Sequence, residues 1–149
     1  MTTLIEKLEE ANTRFQAART KLKEEAKVII RSVFESVFVE YPDIKAATWV
    51  QYTPYFNDGD ACTFGVSEVC FLGSDNSEET GVGYDAEEYQ LNTFSWGNKV
   101  APYAHLRDIE IALNNFLQNN EDVLEDMFGD HVSVYVTAKG VEVNEYDHD

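Results

Sequence analysis

Cysteine is scarce in this chain: Cys62 and Cys70 are the only two in 149 residues, and they fit no zinc or redox-dithiol spacing. That excludes a disulfide scaffold, and both thiols are expected to be reduced core residues in a reducing compartment. Long apolar runs are also missing. No stretch approaches the roughly 18 apolar residues of a membrane span, and charges recur from Glu6 onward where a signal peptide needs an apolar segment. The expectation is a cytoplasmic protein without a membrane partner. Histidine is limited to His105, His131 and His148, far apart in sequence, and no Gly-x-Ser-x-Gly or Cys/His pair suggests a nucleophile. No catalytic residue, metal or cofactor is therefore expected. Glycine and proline are absent before Pro42.

Basic residues are few and unevenly placed. Residues 1–31 hold seven of the eleven, against five glutamates, a net +2; residues 32–149 hold four against 23 acidic residues, a net −19. Such a body repels nucleic acid and anionic membranes and attracts a basic partner.

What is present is enough for one real core: 44% apolar and 13% aromatic residues in 16.9 kDa. The fold expected is α+β, a single domain over 1–149, with a long N-terminal helix and a second helix packed on an antiparallel sheet of about five strands. With no breaker before Pro42, and with Thr2 or Thr3 as cap, one helix runs from Thr3 to about Glu40. A helix of about 38 residues spans roughly 57 Å, whereas a domain of this size has a diameter of roughly 38 Å. The near-neutral segment 1–31 therefore projects from an acidic body, 32–149. Leu4, Leu8, Ala11, Phe15, Ala18 and Leu22 repeat at spacings of three and four on the overhang, a stripe expected to join a second copy in a homo-oligomer. From Val28 to Val39 the helix is broadly apolar and is expected to enter the body.

Trp49 to Phe71 reads as a hairpin around Asn57-Asp58-Gly59, with Gly59 left-handed. That loop sets Val50, Tyr52 and Pro54 opposite Val66, Phe64 and Cys62 on an apolar face, with Trp49 and Gln51 on a mixed one. Gly73 to Gly83 reads as a mobile loop and Tyr89 to Trp96 as a third strand. A continuous second helix is expected from Tyr103 to Phe128, then a hairpin from His131 with a turn at Lys139-Gly140 that returns Val141 and Val143 to the face of Val132, Val134 and Val136.

Two motifs are set aside. Gly81-Val82-Gly83-Tyr84-Asp85-Ala86 fits a dinucleotide fingerprint only in letters, because no strand-to-helix turn is expected there. Asp58 and Asp60 lack the further ligands of a calcium loop, and turn chemistry accounts for them.

The acidic residues are the candidate partner-binding set: Asp58, Asp60, Asp75, Glu78, Glu79, Asp85, Glu87, Glu88, Glu121, Asp122, Glu125 and Asp126. The last four, read at the carboxyl end of one long helix, oppose its dipole and form like-charge i,i+4 pairs, a placement that stability alone does not favour. Nineteen net charges match those on roughly 32 Å of duplex DNA. The chain thus resembles, in charge and size, the nucleic-acid mimics, small acidic proteins often made by phages. That resemblance implies a non-enzymatic inhibitor or regulator of a basic, nucleic-acid-binding protein, as in phage anti-defence, with Tyr52, Tyr55 and Phe56 as aromatic anchors. The competing expectation is an assembly or adaptor module acting through the N-terminal helix.

Overall fold

In a computed structural model, residues 3–55, 59, 62–75, 90–94 and 99–146 are described. Among them are three α-helices and five strands: α1 (Leu4–Glu40), β1 (Ala46–Tyr52), β2 (Gly65–Val66), β3 (Cys70–Leu72), a 3-10 turn at Ala104–Leu106, α2 (Arg107–Gln118), α3 (Glu121–Phe128), β4 (Val132–Thr137) and β5 (Gly140–Glu145). The sheet is antiparallel in the order β2-β1-β4-β5, and β3 pairs β1 on the same side as β2. The expected α+β fold is observed.

The start of α1 follows from its cap: Thr3 Oγ1 accepts from the Glu6 N–H at 3.1 Å. Ala26, Ile30, Phe34 and Val37 form its buried side, whereas Val28, Ile29 and Val39 are exposed, so the second half enters the body on one side only. Phe34 stacks on Trp49 with centroids 5.7 Å apart, and Phe128 of α3 meets the same indole edge-on at 6.3 Å. Trp49, Ala47, Phe71, Val66, Val134 and Val136 share the helix-covered core.

The register of the first hairpin corrects the expectation by one residue. Gln51 lies opposite Val66 and Tyr52 opposite Gly65, so the face carrying Trp49 and Gln51, not that of Val50 and Tyr52, meets the helices. One extra residue on the returning side shifts the pairing again, since Thr48 lies opposite Cys70. This is a bulge at 67–69, and side chains complete it: Ser67 Oγ accepts from Val50 N–H, and Asn114 Oδ1 from Val69 N–H. Counting back from a loop could not register that insertion. Gly59 does have positive φ, +94°, while Asn57 and Asp58 lie outside the described residues.

No strand forms over the described part of 89–96. Gln90 makes one bridge to Leu72; then Asn92 Oδ1 accepts from Phe94 N–H and turns the chain. Tyr89, Trp96 and most of the loop expected at 73–83 lie outside the described residues, as does the 81–86 motif.

The expected second helix is broken. Asn120 Nδ2 donates to the Phe116 carbonyl at 2.7 Å, closing the end of α2, and α3 starts at Glu121. The second hairpin has the expected faces, Val136 opposite Val141 and Val134 opposite Val143, but Thr137 pairs Gly140. Its turn is therefore Ala138-Lys139, and Gly140, at φ +145°, opens the strand.

Candidate partner-docking surface

Of the twelve acidic candidates, Asp58, Asp60, Glu78, Glu79, Asp85, Glu87 and Glu88 lie outside the described residues. Asp75 is exposed beyond β3. The four carboxylates of α3 share a short helix, but the break at Asn119-Asn120 changes their meaning. Glu121 and Asp122 occupy the first turn, where the dipole favours negative charge. Asp126 is tied to Arg19 of α1 at 2.5 Å. The dipole penalty inferred from a continuous helix thus disappears for Glu121 and Asp122, and Asp126 gains a cation, while Glu125 stays in the last turn and the i,i+4 pairs Glu121–Glu125 and Asp122–Asp126 remain within the short helix.

The stripe on α1 is a different case. Leu4, Leu8, Phe15 and Leu22 are 72%, 62%, 74% and 53% exposed. Ala18 is exposed and Ala11 half-buried. Among the described residues, no side chain before Arg19 makes a hydrogen bond or ion pair to the body; Thr3 and Thr13 bond only within the helix. Monomeric proteins rarely leave such a row of large apolar side chains in water.

The stripe leads into the body at a mostly apolar cleft of about 250 Å³ between α1 and the α2-α3 pair, where Leu22 and Ile29 face Phe116, Val123 and Met127. On the other side of α1 lies a cleft of about 520 Å³, floored by Val28, Phe128, Val141 and Val143 and lined by Lys27, Arg31 and Lys139, with no carboxylate among the described residues that line it. Sequence reading missed this basic patch, although Lys27 and Arg31 stand four apart on one helix, a spacing that places them on one face.

Several polar groups gathered beside β3 bond to one another. Glu110 is buried, and its carboxylate accepts from Arg107 and from Thr93 Oγ1. Burial, then Glu110 and Glu68, push the Cys70 thiol above its ordinary range, which keeps it protonated and a poor nucleophile. Both cysteines are free and half-buried, not the core residues expected. Cys62 precedes β2 without entering the ladder.

His131 takes a left-handed backbone, φ +56°, just before β4, and its ring stacks on Tyr55 at 4.9 Å. His105 is exposed, 3.7 Å from Asp43, and His148 lies outside the described residues. Among the described residues, no group of three or more His, Cys, Asp or Glu side chains is placed to hold a metal ion, and no helix is long and apolar enough to cross a membrane. Tyr52 is half-buried against Tyr146 at 5.9 Å, Tyr55 is exposed, and Phe56 is outside the described residues.

Fold and surface together define an α+β domain with a protruding, apolar-striped helix. No protein-family model, curated protein or solved structure matches the chain.

Proposed function

We propose that this protein is a non-enzymatic assembly or adaptor module that docks a partner helix on the projecting half of α1 and holds it beside the acidic body. The observation supporting this is the run of Leu4, Leu8, Phe15 and Leu22 along one side of a helix, each more than half exposed. Burying four such side chains stabilises a complex by about 1.5 kcal/mol or more each before association costs. The free thiols fit work in a reducing cytoplasm. The test is affinity capture with the full chain and with a Leu8→Glu/Phe15→Glu variant, followed by reconstitution with the purified captured protein. Binding lost in the variant at unchanged melting temperature supports docking on the stripe; identical binding by both proteins sinks it.

A second reading is supported by the net −19 of residues 32–149: the body itself engages a basic, nucleic-acid-binding protein, as a nucleic-acid mimic or phage-encoded inhibitor does. It predicts binding that falls steeply with salt and is lost when Glu121, Asp122 and Glu125 are changed to Lys. Asp126 is left intact because it holds Arg19. Salt-independent binding would overturn it.

A further inference from the structure

Which helix fits the stripe is written in the residues beside it. This inference rests on docking at α1 and names the partner. In heptad terms Leu8, Phe15 and Leu22 occupy a, and Leu4, Ala11 and Ala18 occupy d. The flanking g positions are then Lys7, Arg14 and Lys21, three cations at intervals of seven; the e positions are Ile5, Asn12 and Arg19. Every carboxylate of the segment, Glu6, Glu9 and Glu10, falls at b, c or f, off the seam.

The structure fixes which flank is free. Arg19 reaches across to Asp126 of α3, so the e side faces the body. Lys7, Arg14 and Lys21 lie across the seam from it, and none of them makes an ion pair among the described residues. After Leu22 the next d position is Glu25, and the stripe passes to Ala26, which is buried in the body. The seam therefore ends where Leu22 lines the apolar cleft beside Phe116 and Val123.

A second copy of this chain suits that seam poorly. In a parallel pair g meets the following e, setting Arg14 against Arg19 of the other copy. In an antiparallel pair g meets g, setting Lys7 against Lys21 and Arg14 against Arg14. Both arrangements bring like charges together, and two acidic bodies repel besides.

We infer that the occupant of α1 is an amphipathic helix of a different protein, apolar at a and d, with a row of Asp or Glu at seven-residue spacing that meets Lys7, Arg14 and Lys21. Its end nearest Leu22 carries an apolar side chain into the cleft. The preformed α1 spares half of the helix-ordering cost that a seam of under three heptads otherwise meets.

The experiment uses the full chain. A K7E/R14E/K21E variant converts the free flank to the charge demanded of the partner. Sedimentation equilibrium near 0.15 M salt, where the Debye length is about 8 Å, is run on the wild type, on the variant and on their equimolar mixture. The expected result is that the wild type alone is monomeric, while the mixture forms a 1:1 antiparallel complex, g against g with Lys or Arg facing Glu, that Leu8→Glu abolishes. In parallel, two synthetic helical peptides with Leu at a and d, one flanked by Glu and one by Lys, are titrated by fluorescence anisotropy. The Glu peptide binds the wild type about tenfold tighter or more, and the triple variant reverses that preference. A wild-type dimer dissociated by Leu8→Glu would assign the stripe to a second copy, overturning this inference and leaving docking intact. Equal binding of the two peptides would also overturn it. Failure of both peptides and of the mixture to bind would sink docking at α1 itself.

Discussion

Gln51 is fully buried, yet every hydrogen-bonding atom of its side chain that matters to the core is engaged. Its Nε2 donates to the carbonyls of Leu124 and Gly129 at 3.0 and 2.8 Å, and its Oε1 accepts from Trp49 Nε1 at 3.0 Å. One amide thus fixes the indole and ties the end of α3 to β1. Gln51→Leu would strand the indole N–H and take the amide donor away from both carbonyls, and its expected cost is on the order of 3 kcal/mol in urea unfolding. Ser133 is the opposite case, a buried hydroxyl with no partner among the described residues. Ser133→Ala is expected to be neutral or to stabilise by up to about 1 kcal/mol, read as melting temperature. Asp130 gives a pH dependence. Burial acts to raise its pKa, but hydrogen bonds from Thr53 Oγ1–H, Thr53 N–H and His131 N–H, with the nearby imidazole, outweigh it and hold the carboxyl below its usual range. A depressed pKa means that the unfolded state binds the proton first. The stabilisation is complete above the unfolded value of about 3.9 and is lost as pH falls through the folded one. Asp130→Asn should therefore lower stability near neutral pH by about 1 kcal/mol, allowing for the partial exposure of the site, and the gap from wild type should close in strong acid. A gap independent of pH would refute that account.

Elements differed in how far the residues announced them. The bounds of α1 were legible because a threonine cap and an uninterrupted run free of glycine and proline act locally, and the β4-β5 faces because alternating valines have one way to share a side. The break between α2 and α3 was not, since it depends on Asn120 bonding a carbonyl four residues back, a use of asparagine that leaves helical periodicity intact. The bulge opposite Trp49 was hidden for a related reason: it is completed by Ser67 and by Asn114 from a different element, so no local count contains it. The apolar stripe was legible as a pattern, and so was its exposure, because a helix of that length outruns a body whose diameter follows from chain length. The pairing of Arg19 with Asp126 spans 107 residues and has no local signal. Being exposed, that pair should contribute little: Arg19→Ala is expected to change stability by less than about 0.5 kcal/mol. A proline at Ala11 tests the independence of the overhang. It should remove helical signal from the first turns and abolish docking while leaving the melting temperature of the body unchanged, although the same substitution inside a packed helix costs about 3 kcal/mol.

For the whole molecule, charge works against compactness. With a net charge of −17, self-repulsion is screened as salt is added, so the melting temperature should rise from very low ionic strength and level off by a few tenths molar, once the Debye length falls below about 5 Å. A rise that continues toward molar salt would instead indicate adaptation to brine. The longest element adds a metric property to this electrostatic one. From Leu4 to Ala26, its first buried residue, α1 carries its axis about 33 Å at 1.5 Å per residue, with no glycine or proline at which to swivel. Rooted at one end by Phe34 against Trp49, it is a ruler as well as a handle: whatever sits on its tip is held at a set distance and azimuth from the sheet, so lengthening α1 by one full turn would translate the partner, while adding two residues would swing it around to the far side.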